Sequence, residues 1–279
     1  MQSGVVAAPG AFNGLVAHAV AASGFDAVYI SGGATANGCG YPDIGLVTLT
    51  EMCRTIREVA QASGLPTIVD ADTGYGEAEM AARTCTEYAR AGAAGMHLED
   101  QVFPKRCGHL DGKVLISTEH MCEKIAAAAA AKPDNDFVLI ARTDARGVDD
   151  LDAAVARGLS YREAGADMIF PESLHNEAEF GEFAKRCPGL LLANMTEFGN
   201  TPHLQVSRFG ELGYDLVIYP VTMQRIAMHA VTTALAKLRA EGTAEHLLKD
   251  MQTRAELYDL IGYVPGEAWT QPRGPTGGA

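Results

Sequence analysis

Eight short runs of apolar, largely β-branched residues recur along the chain, at 4–8, 26–31, 66–72, 95–100, 137–143, 167–172, 190–195 and 215–220, with longer stretches of helical periodicity between them. Near-continuous apolarity, as in Val138-Leu139-Ile140 and Leu216-Val217-Ile218, is what a strand covered on both faces requires. Eight strand–helix alternations predict a closed parallel (β/α)8 barrel of TIM type, with an open doubly wound sheet as the structural alternative. At 279 residues the whole chain, 1–279, fits a single barrel domain. An internal echo supports the count. Gly24-Phe25-Asp26, Gly92-Ala93-Ala94, Gly165-Ala166-Asp167 and Gly213-Tyr214-Asp215 precede the second, fourth, sixth and eighth runs, where a glycine supplies the left-handed cap that ends a helix. Beyond the eighth run, 222–240 reads as the closing helix. One or two further amphipathic helices follow over 243–260, within a C-terminal extension (243–262) expected at an oligomer interface. The Gly- and Pro-rich stretch 271–279 reads as a frayed tail.

Charge narrows the partners. A formal net charge of −13 would be repelled by nucleic acid and by anionic membranes, so neither is expected to bind. An anionic substrate would then need positive groups gathered locally. The start of the sequence lacks a basic segment followed by an apolar run, and no segment approaches eighteen consecutive apolar residues, so a soluble cytoplasmic protein is expected. Six cysteines are scattered with no CxxC pair, which fits reduced thiols better than disulfides or a zinc site.

In a barrel the active site forms at the C-terminal ends of the strands, and polar residues end nearly every run: Ser31, Asp70 and Asp72, Glu99 and Asp100, Arg142 and Asp144, Glu172, then Asn194 and Thr196. Any one of them is equally well a helix cap or a satisfied buried group. Asp70-Ala71-Asp72 places two carboxylates on one side of a strand, a pair that repels unless a cation sits between. With Glu99 and Asp100 the set offers only oxygen, which suits Mg2+ or Mn2+. Magnesium binds through one or two carboxylates plus water and substrate oxygens, so not all four need be ligands. The alternative is that Asp72 merely caps the next helix. Just beyond, Lys105-Arg106-Cys107-Gly108-His109 surrounds a thiol with two cations and a histidine, a setting expected to lower its pKa and favour the thiolate.

These residues also match a family. Ser31-Gly32-Gly33, Pro42-Asp43, Asp70-Ala71-Asp72, Glu99-Asp100-Gln101, Lys105-Arg106-Cys107-Gly108-His109, Ala141-Arg142-Thr143-Asp144 and Asn194-Met195-Thr196-Glu197-Phe198-Gly199 together resemble the 2-methylisocitrate lyases of the isocitrate lyase and phosphoenolpyruvate mutase superfamily. The resemblance extends over about 10–263, and the Lys-Arg-Cys-Gly-His loop is its most specific element. It implies a substrate site using Ser31, Gly32, Gly33, Cys107, Gly108, Arg142, Glu172, Asn194, Thr196, Arg225 and Arg254, in which arginine forks grip carboxylates. It implies Mg2+ at Asp70 and Asp72, and a loop carrying Lys105, Cys107 and His109 that closes over the site. The implied reaction is retro-aldol cleavage of a small di- or tricarboxylate to pyruvate and succinate, with Cys107 protonating the succinate carbanion and Tyr29 or Asp43 taking the hydroxyl proton. Homotetramers that exchange C-terminal helices are implied as well.

Isocitrate lyase and 2,3-dimethylmalate lyase share the cysteine loop and stay open, because one methyl group is worth only roughly 1–3 kcal/mol. Phosphonate-forming mutases of the same superfamily lack that loop, so Cys107 argues against them. A Schiff-base aldolase would need a lysine inside a strand, and none of the eight runs holds one. A non-catalytic metabolite-binding barrel would bind without turnover.

Overall fold

Residues 4–270 are described by a computed structural model; the tail anticipated at 271–279 lies outside the described residues. Each expected run forms a strand; seven are trimmed at one or both ends, and the first is shifted onward to end at Pro9. The first half of the barrel is β1 (Val6–Pro9), α1 (Gly14–Ala22), β2 (Val28–Ile30), α2 (Gly32–Gly38), α3 (Leu49–Ser63), β3 (Thr67–Asp70), α4 (Ala78–Ala91), β4 (Gly95–Glu99) and α5 (Thr118–Ala130). The second half is β5 (Val138–Thr143), α6 (Leu151–Glu163), β6 (Met168–Pro171), α7 (Glu177–Arg186), β7 (Leu190–Asn194), α8 (Val206–Glu211), β8 (Leu216–Tyr219) and α9 (Thr222–Glu241). A 3-10 turn, Glu245–Asp250, and α10 (Arg254–Leu260) end the described chain.

All strand pairings are parallel, in the order β1-β8-β7-β6-β5-β4-β3-β2. The seam between β1 and β2 is bridged by Gly10 against Tyr29. The ring is therefore a barrel and not an open doubly wound sheet. The four echo glycines, Gly24, Gly92, Gly165 and Gly213, all take positive φ, from 78° to 113°, the left-handed conformation that turns a helix end into the following strand. At the opposite helix ends, side chains of Asn13, Thr48, Ser117, Asp150 and Asn176 accept from backbone N–H groups of the first turn. Each such cap contributes about 1 kcal/mol.

Two apolar layers alternate along the strands. One set, including Ala8, Ala27, Tyr29, Ile68, Ile140, Met168, Phe170, Leu192, Leu216 and Ile218, fills the barrel interior. The intervening residues, such as Val28, Val69, Leu98, Leu139, Ile169, Leu191 and Val217, pack under the helices. Each fully buried large apolar side chain contributes about 1.5–3 kcal/mol, so this alternation fixes which strand residues can reach the centre of the barrel mouth.

The helix expected to close the ring behaves differently. α9 buries only Gln224, whose amide donates to the Ala34 carbonyl at 2.8 Å. Its apolar side chains Ile226, Met228, Val231 and Leu235 stay exposed, at 61% and 58% for the first and last. The apolar content of 222–240 is real, but a single chain offers it no surface to cover.

Candidate active site

The inward-facing parity of each strand carries on past its apolar part and ends in a polar side chain at the barrel mouth. Asp70, Glu99, Arg142 and Glu172 stand there buried, with Asn194 partly covered beside them. Asn194 Nδ2 donates to Glu172 Oε2 at 3.1 Å. Ser31 caps α2 by accepting from Ala34 N–H at 3.1 Å, while Gly32 N–H donates to Asp70 Oδ2 at 3.1 Å. Gly32 and Gly33 lie so close to the acids that a Cβ on either would come within 3.0 Å of an Asp70 or Asp43 carboxylate oxygen. Asp72 is not a helix cap. It takes a left-handed φ of 46°, and the N-cap of α4 is Glu77, five residues further on. A non-glycine residue held there costs of order 1 kcal/mol and persists where its surroundings demand it.

Asp100 points the other way. The residue after an inward Glu99 must face outward, and Asp100 is held by Thr143 Oγ1 and Tyr161 Oη at 2.8 Å each, Asp144 N–H at 2.9 Å and Arg157 at 3.2 Å. It ties β4 to α6, and that removes it from the expected metal set.

The mouth carries more negative than positive charge. Asp43, Asp70, Asp72, Glu99, Asp144 and Glu172, six acids, face Lys105, Lys113 and Arg142, three cations. His109, beside Glu172, is charged only when protonated, so the acids outnumber the fixed cations by three. Lys105 stands between Asp43 and Asp72, with Nζ–O distances of 2.5 and 2.8 Å. Arg142 grips Asp144 with two 3.0 Å hydrogen bonds and reaches Glu99 Oε2 at 3.0 Å. Even so, burial pushes Asp72 up to about 6 and Glu99 well above the usual carboxylate range. Both Glu99 oxygens and Asp72 Oδ1 are buried without a directed hydrogen bond; their contacts with Arg142 and Lys105 are close charges off the hydrogen-bond direction. Buried carboxylate oxygens in that state bind either protons or a cation, and an all-oxygen set fits Mg2+ or Mn2+. Among the described residues no three His, Cys, Asp or Glu side chains converge on one point. A cation there would accordingly rely on one or two carboxylates and fill its other positions with water or substrate oxygens, the habit of Mg2+.

The cysteine loop lies shut over this cluster. Gln101 clamps the Arg106 backbone, donating to its carbonyl and accepting from its N–H, both at 2.9 Å. A Cβ on Gly108 would stand 2.3 Å from Arg142 Nη2 and 2.5 Å from Glu172. His109 Nδ1 accepts from Asn200 N–H at 3.1 Å, which leaves the proton on Nε2, 3.0 Å from Glu172 Oε1. Burial opposes ionisation of Glu172, but Arg142 and His109 outweigh it and hold the carboxyl well below its ordinary range.

The expected electropositive setting of Cys107 does not form. Lys105 is engaged by Asp43 and Asp72, Arg106 turns out to the Asp111 carbonyl, and His109 turns to Glu172. Burial raises the Cys107 thiol above its ordinary pKa, with Glu172 adding to the rise and Arg142 opposing it. The sequence expectation of a thiolate is corrected to a protonated thiol, which is the form a proton donor needs.

Beneath the acids Tyr29 meets a partner that the sequence analysis did not single out. His97, fully buried, stacks on Tyr29 and its Nε2 lies 2.7 Å from the phenol oxygen. Nδ1 is 3.7 Å from Asp70 Oδ1. Burial lowers His97 to about 4 and raises Tyr29 well above its usual value, with Asp70 adding to the latter, so the pair is uncharged at neutral pH. Lys113 and Ser173 were missed too. Period-2 parity from Glu99 would have found His97; the other two lie in loops where parity gives no signal.

Three expected substrate contacts make no hydrogen bond or ion pair with the cluster among the described residues. Thr196 is half-buried in the turn after β7. Arg225 is occupied by the Glu197 carbonyl at 2.5 Å and lies 5.2 Å over the Phe198 ring. Arg254 opens α10, which packs beside α1, and is exposed without an ion pair among the described residues.

The sequence profile described as phosphoenolpyruvate phosphomutase matches residues 1–239. A protein named probable 2-methylisocitrate lyase 1 from Corynebacterium glutamicum is 53% identical over 256 residues, covering 91% of this chain and 84% of that one. The crystal structure of a 2,3-dimethylmalate lyase, a phosphoenolpyruvate mutase/isocitrate lyase superfamily member, superimposes with a TM-score of 0.88 at 36% identity, covering 93% of this chain and 87% of the other. A phosphonopyruvate hydrolase solved in complex with oxalate and Mg2+ follows at a TM-score of 0.83 and 31% identity, covering 92% and 90%.

Proposed function

The chain belongs to the phosphoenolpyruvate phosphomutase family, and on that premise we propose that it is a carbon–carbon lyase cleaving 2-methylisocitrate to pyruvate and succinate. The observation that carries this reading is a partly buried thiol, Cys107, on a loop closed over Arg142, Glu172 and a cluster with more acids than fixed cations. Mg2+ or Mn2+ held by Asp70 and Asp72 would supply positive charge against the oxygen that loses its proton. The remaining work falls to the chain's own groups. Arg142, Asn194 and the backbone of Ser31, Gly32 and Gly33 orient the substrate's carboxylates, and Thr196 with Arg225 and Arg254 complete the contacts in the assembled enzyme.

Of the two candidate bases, Tyr29 is tied to His97 below the mouth and holds its proton tightly. Asp43, a carboxylate at the mouth beside Lys105, is the better placed of the two. The base takes the hydroxyl proton, the C–O bond becomes the carbonyl of pyruvate, and the C–C bond breaks. Its electron pair moves onto the carbon that becomes succinate, which takes the proton from Cys107 Sγ. Lys105 balances Asp43 and Asp72 during the proton transfer, and His109 holds Glu172 under the loop. The closed loop excludes water from the carbanion.

2,3-Dimethylmalate is the second reading, motivated by the structural likeness to a lyase of that name. Purified protein with Mg2+ is expected to release 2-oxo acid fastest from 2-methylisocitrate when that compound, isocitrate and 2,3-dimethylmalate are compared by kcat/KM. A higher value on either of the others would reassign the substrate within the same chemistry.

We propose further that the protein works in the cytoplasm as a homotetramer that exchanges its C-terminal segment, 243–262. The exposed apolar side chains of α9, with Leu248 and Met251 beyond it, support this; a patch of that kind marks an interface. Light scattering at micromolar concentration should give a tetramer for the full chain, and deleting everything after Glu241 should break it. A monodisperse full-length monomer would overturn the assembly. Among the described residues no helix is long and apolar enough to cross a membrane.

A further inference from the structure

The carbonyl of Gly108 is held more firmly than the exposed loop around it. It accepts from Ser173 Oγ at 2.8 Å and from the Lys113 ammonium. Ser173 follows Glu172 directly and sits at a left-handed φ of 60°, which turns its hydroxyl back under the loop. Lys113 lies on the returning limb of the loop, with its side chain 2% exposed. A buried ammonium is rare unless it is paired, and this one has a second partner: Nζ is 3.5 Å from Asp144 Oδ1, the carboxylate that clasps Arg142. Room for it is made by Gly147, where a Cβ would stand 2.7 Å from Lys113 Nζ. The loop and the arginine are thus joined through one ion-pair chain, Lys113 to Asp144 to Arg142. Nothing in the core requires it. Lys113 touches the loop backbone and the site's own acid.

We propose that Lys113 is a positioning residue of the reaction: with Ser173 it clamps the Gly108 carbonyl, and so fixes the Cys107 thiol, one residue earlier, over Arg142 and Glu172 in the closed loop. The inference rests on the reading of Cys107 as the proton donor. A charged donor makes the clamp about twice as strong as a neutral one, and sharing Asp144 means that the loop seats correctly only when Arg142 is correctly oriented.

Two variants approach the clamp from different sides. Lys113→Met keeps the stem and removes the charge; Gly147→Ala keeps Lys113 and pushes its flexible end off the carbonyl. In the Mg2+-loaded enzyme, both are expected to raise the rate of Cys107 alkylation by iodoacetamide about tenfold or more, the worth of one charge-assisted hydrogen bond. Both should also lower kcat by a similar factor while KM and the Mn2+ affinity, read by electron paramagnetic resonance, stay near wild type. Lys113→Arg, which can still donate to the carbonyl, should recover part of each loss. Wild-type alkylation rates in Gly147→Ala and in whatever fraction of Lys113→Met folds would overturn the clamp. The alkylation rate reports loop closure whether or not the thiol is the acid, so failure of the clamp and failure of the Cys107 reading are told apart.

Discussion

Cys107→Ser is expected to lower kcat about 10²–10⁴-fold, the usual worth of a positioned proton donor, while leaving fold, metal binding and loop closure intact. The size of the effect follows from the proton. A serine hydroxyl occupies the same place but is several pK units too weak an acid to protonate a carbanion as the bond breaks. Burial keeps the thiol protonated at neutral pH, so the wild-type enzyme holds its proton ready. Cys53→Ser is the control. That thiol is buried in α3 among core residues, and its replacement should cost stability through packing rather than turnover. If Cys107→Ser kept near-wild-type kcat on the best of the three substrates, another group would be the acid, and the lyase mechanism would lose its chemical centre.

How much of this was legible beforehand depends on whether the controlling interaction is local. The eight runs and the echo glycines are local signals, so barrel topology, strand positions and the left-handed turns at Gly24, Gly92, Gly165 and Gly213 could be read directly. The polar residues that gather at the barrel mouth were legible for the same reason, because alternation along a strand decides which side chain reaches the mouth. That rule also separates Glu99 from Asp100, and applying it strictly would have turned Asp100 outward toward the helices, where Tyr161 and Arg157 of α6 hold it.

The sign of the Cys107 shift was not legible. Three basic neighbours in sequence point to a thiolate, yet each finds a carboxylate or carbonyl elsewhere: Lys105 on Asp43 and Asp72, His109 on Glu172, Arg106 on Asp111. The partners of Lys105 and His109 come from distant strands and loops, and that of Arg106 lies on the outer side of its own loop, so sequence proximity overstates the field that the thiol feels. α9 shows the same limit from the packing side. Its periodicity predicts a buried face, yet within the single chain only Gln224 of the helix is buried, and a 20-residue pattern does not say what would cover the rest.

Removal of divalent cation should have the other large effect. With three more acids than fixed cations at the mouth, the metal-free site holds Glu99 and Asp72 as reluctant carboxylates. Chelation should abolish turnover, by at least about 10³-fold, since charge stabilisation of this kind is worth several kcal/mol and each 1.36 kcal/mol is tenfold in rate. Added Mg2+ should restore activity fully. Direct binding of Mn2+ gives a readout free of catalysis: Asp70→Asn and Asp72→Asn should each weaken it strongly. Asp100→Asn, whose carboxylate is committed to Thr143, Tyr161, Arg157 and the Asp144 N–H, should leave Mn2+ affinity near wild type. Its cost should appear instead as lost stability of about 3 kcal/mol, the range for breaking a buried ion pair. Full turnover in a chelated preparation shown to contain no metal would take the Lewis acid out of the mechanism. A loss of Mn2+ binding in Asp100→Asn equal to that in Asp72→Asn, at unchanged stability, would return Asp100 to the metal set and overturn its assignment as the tie between β4 and α6.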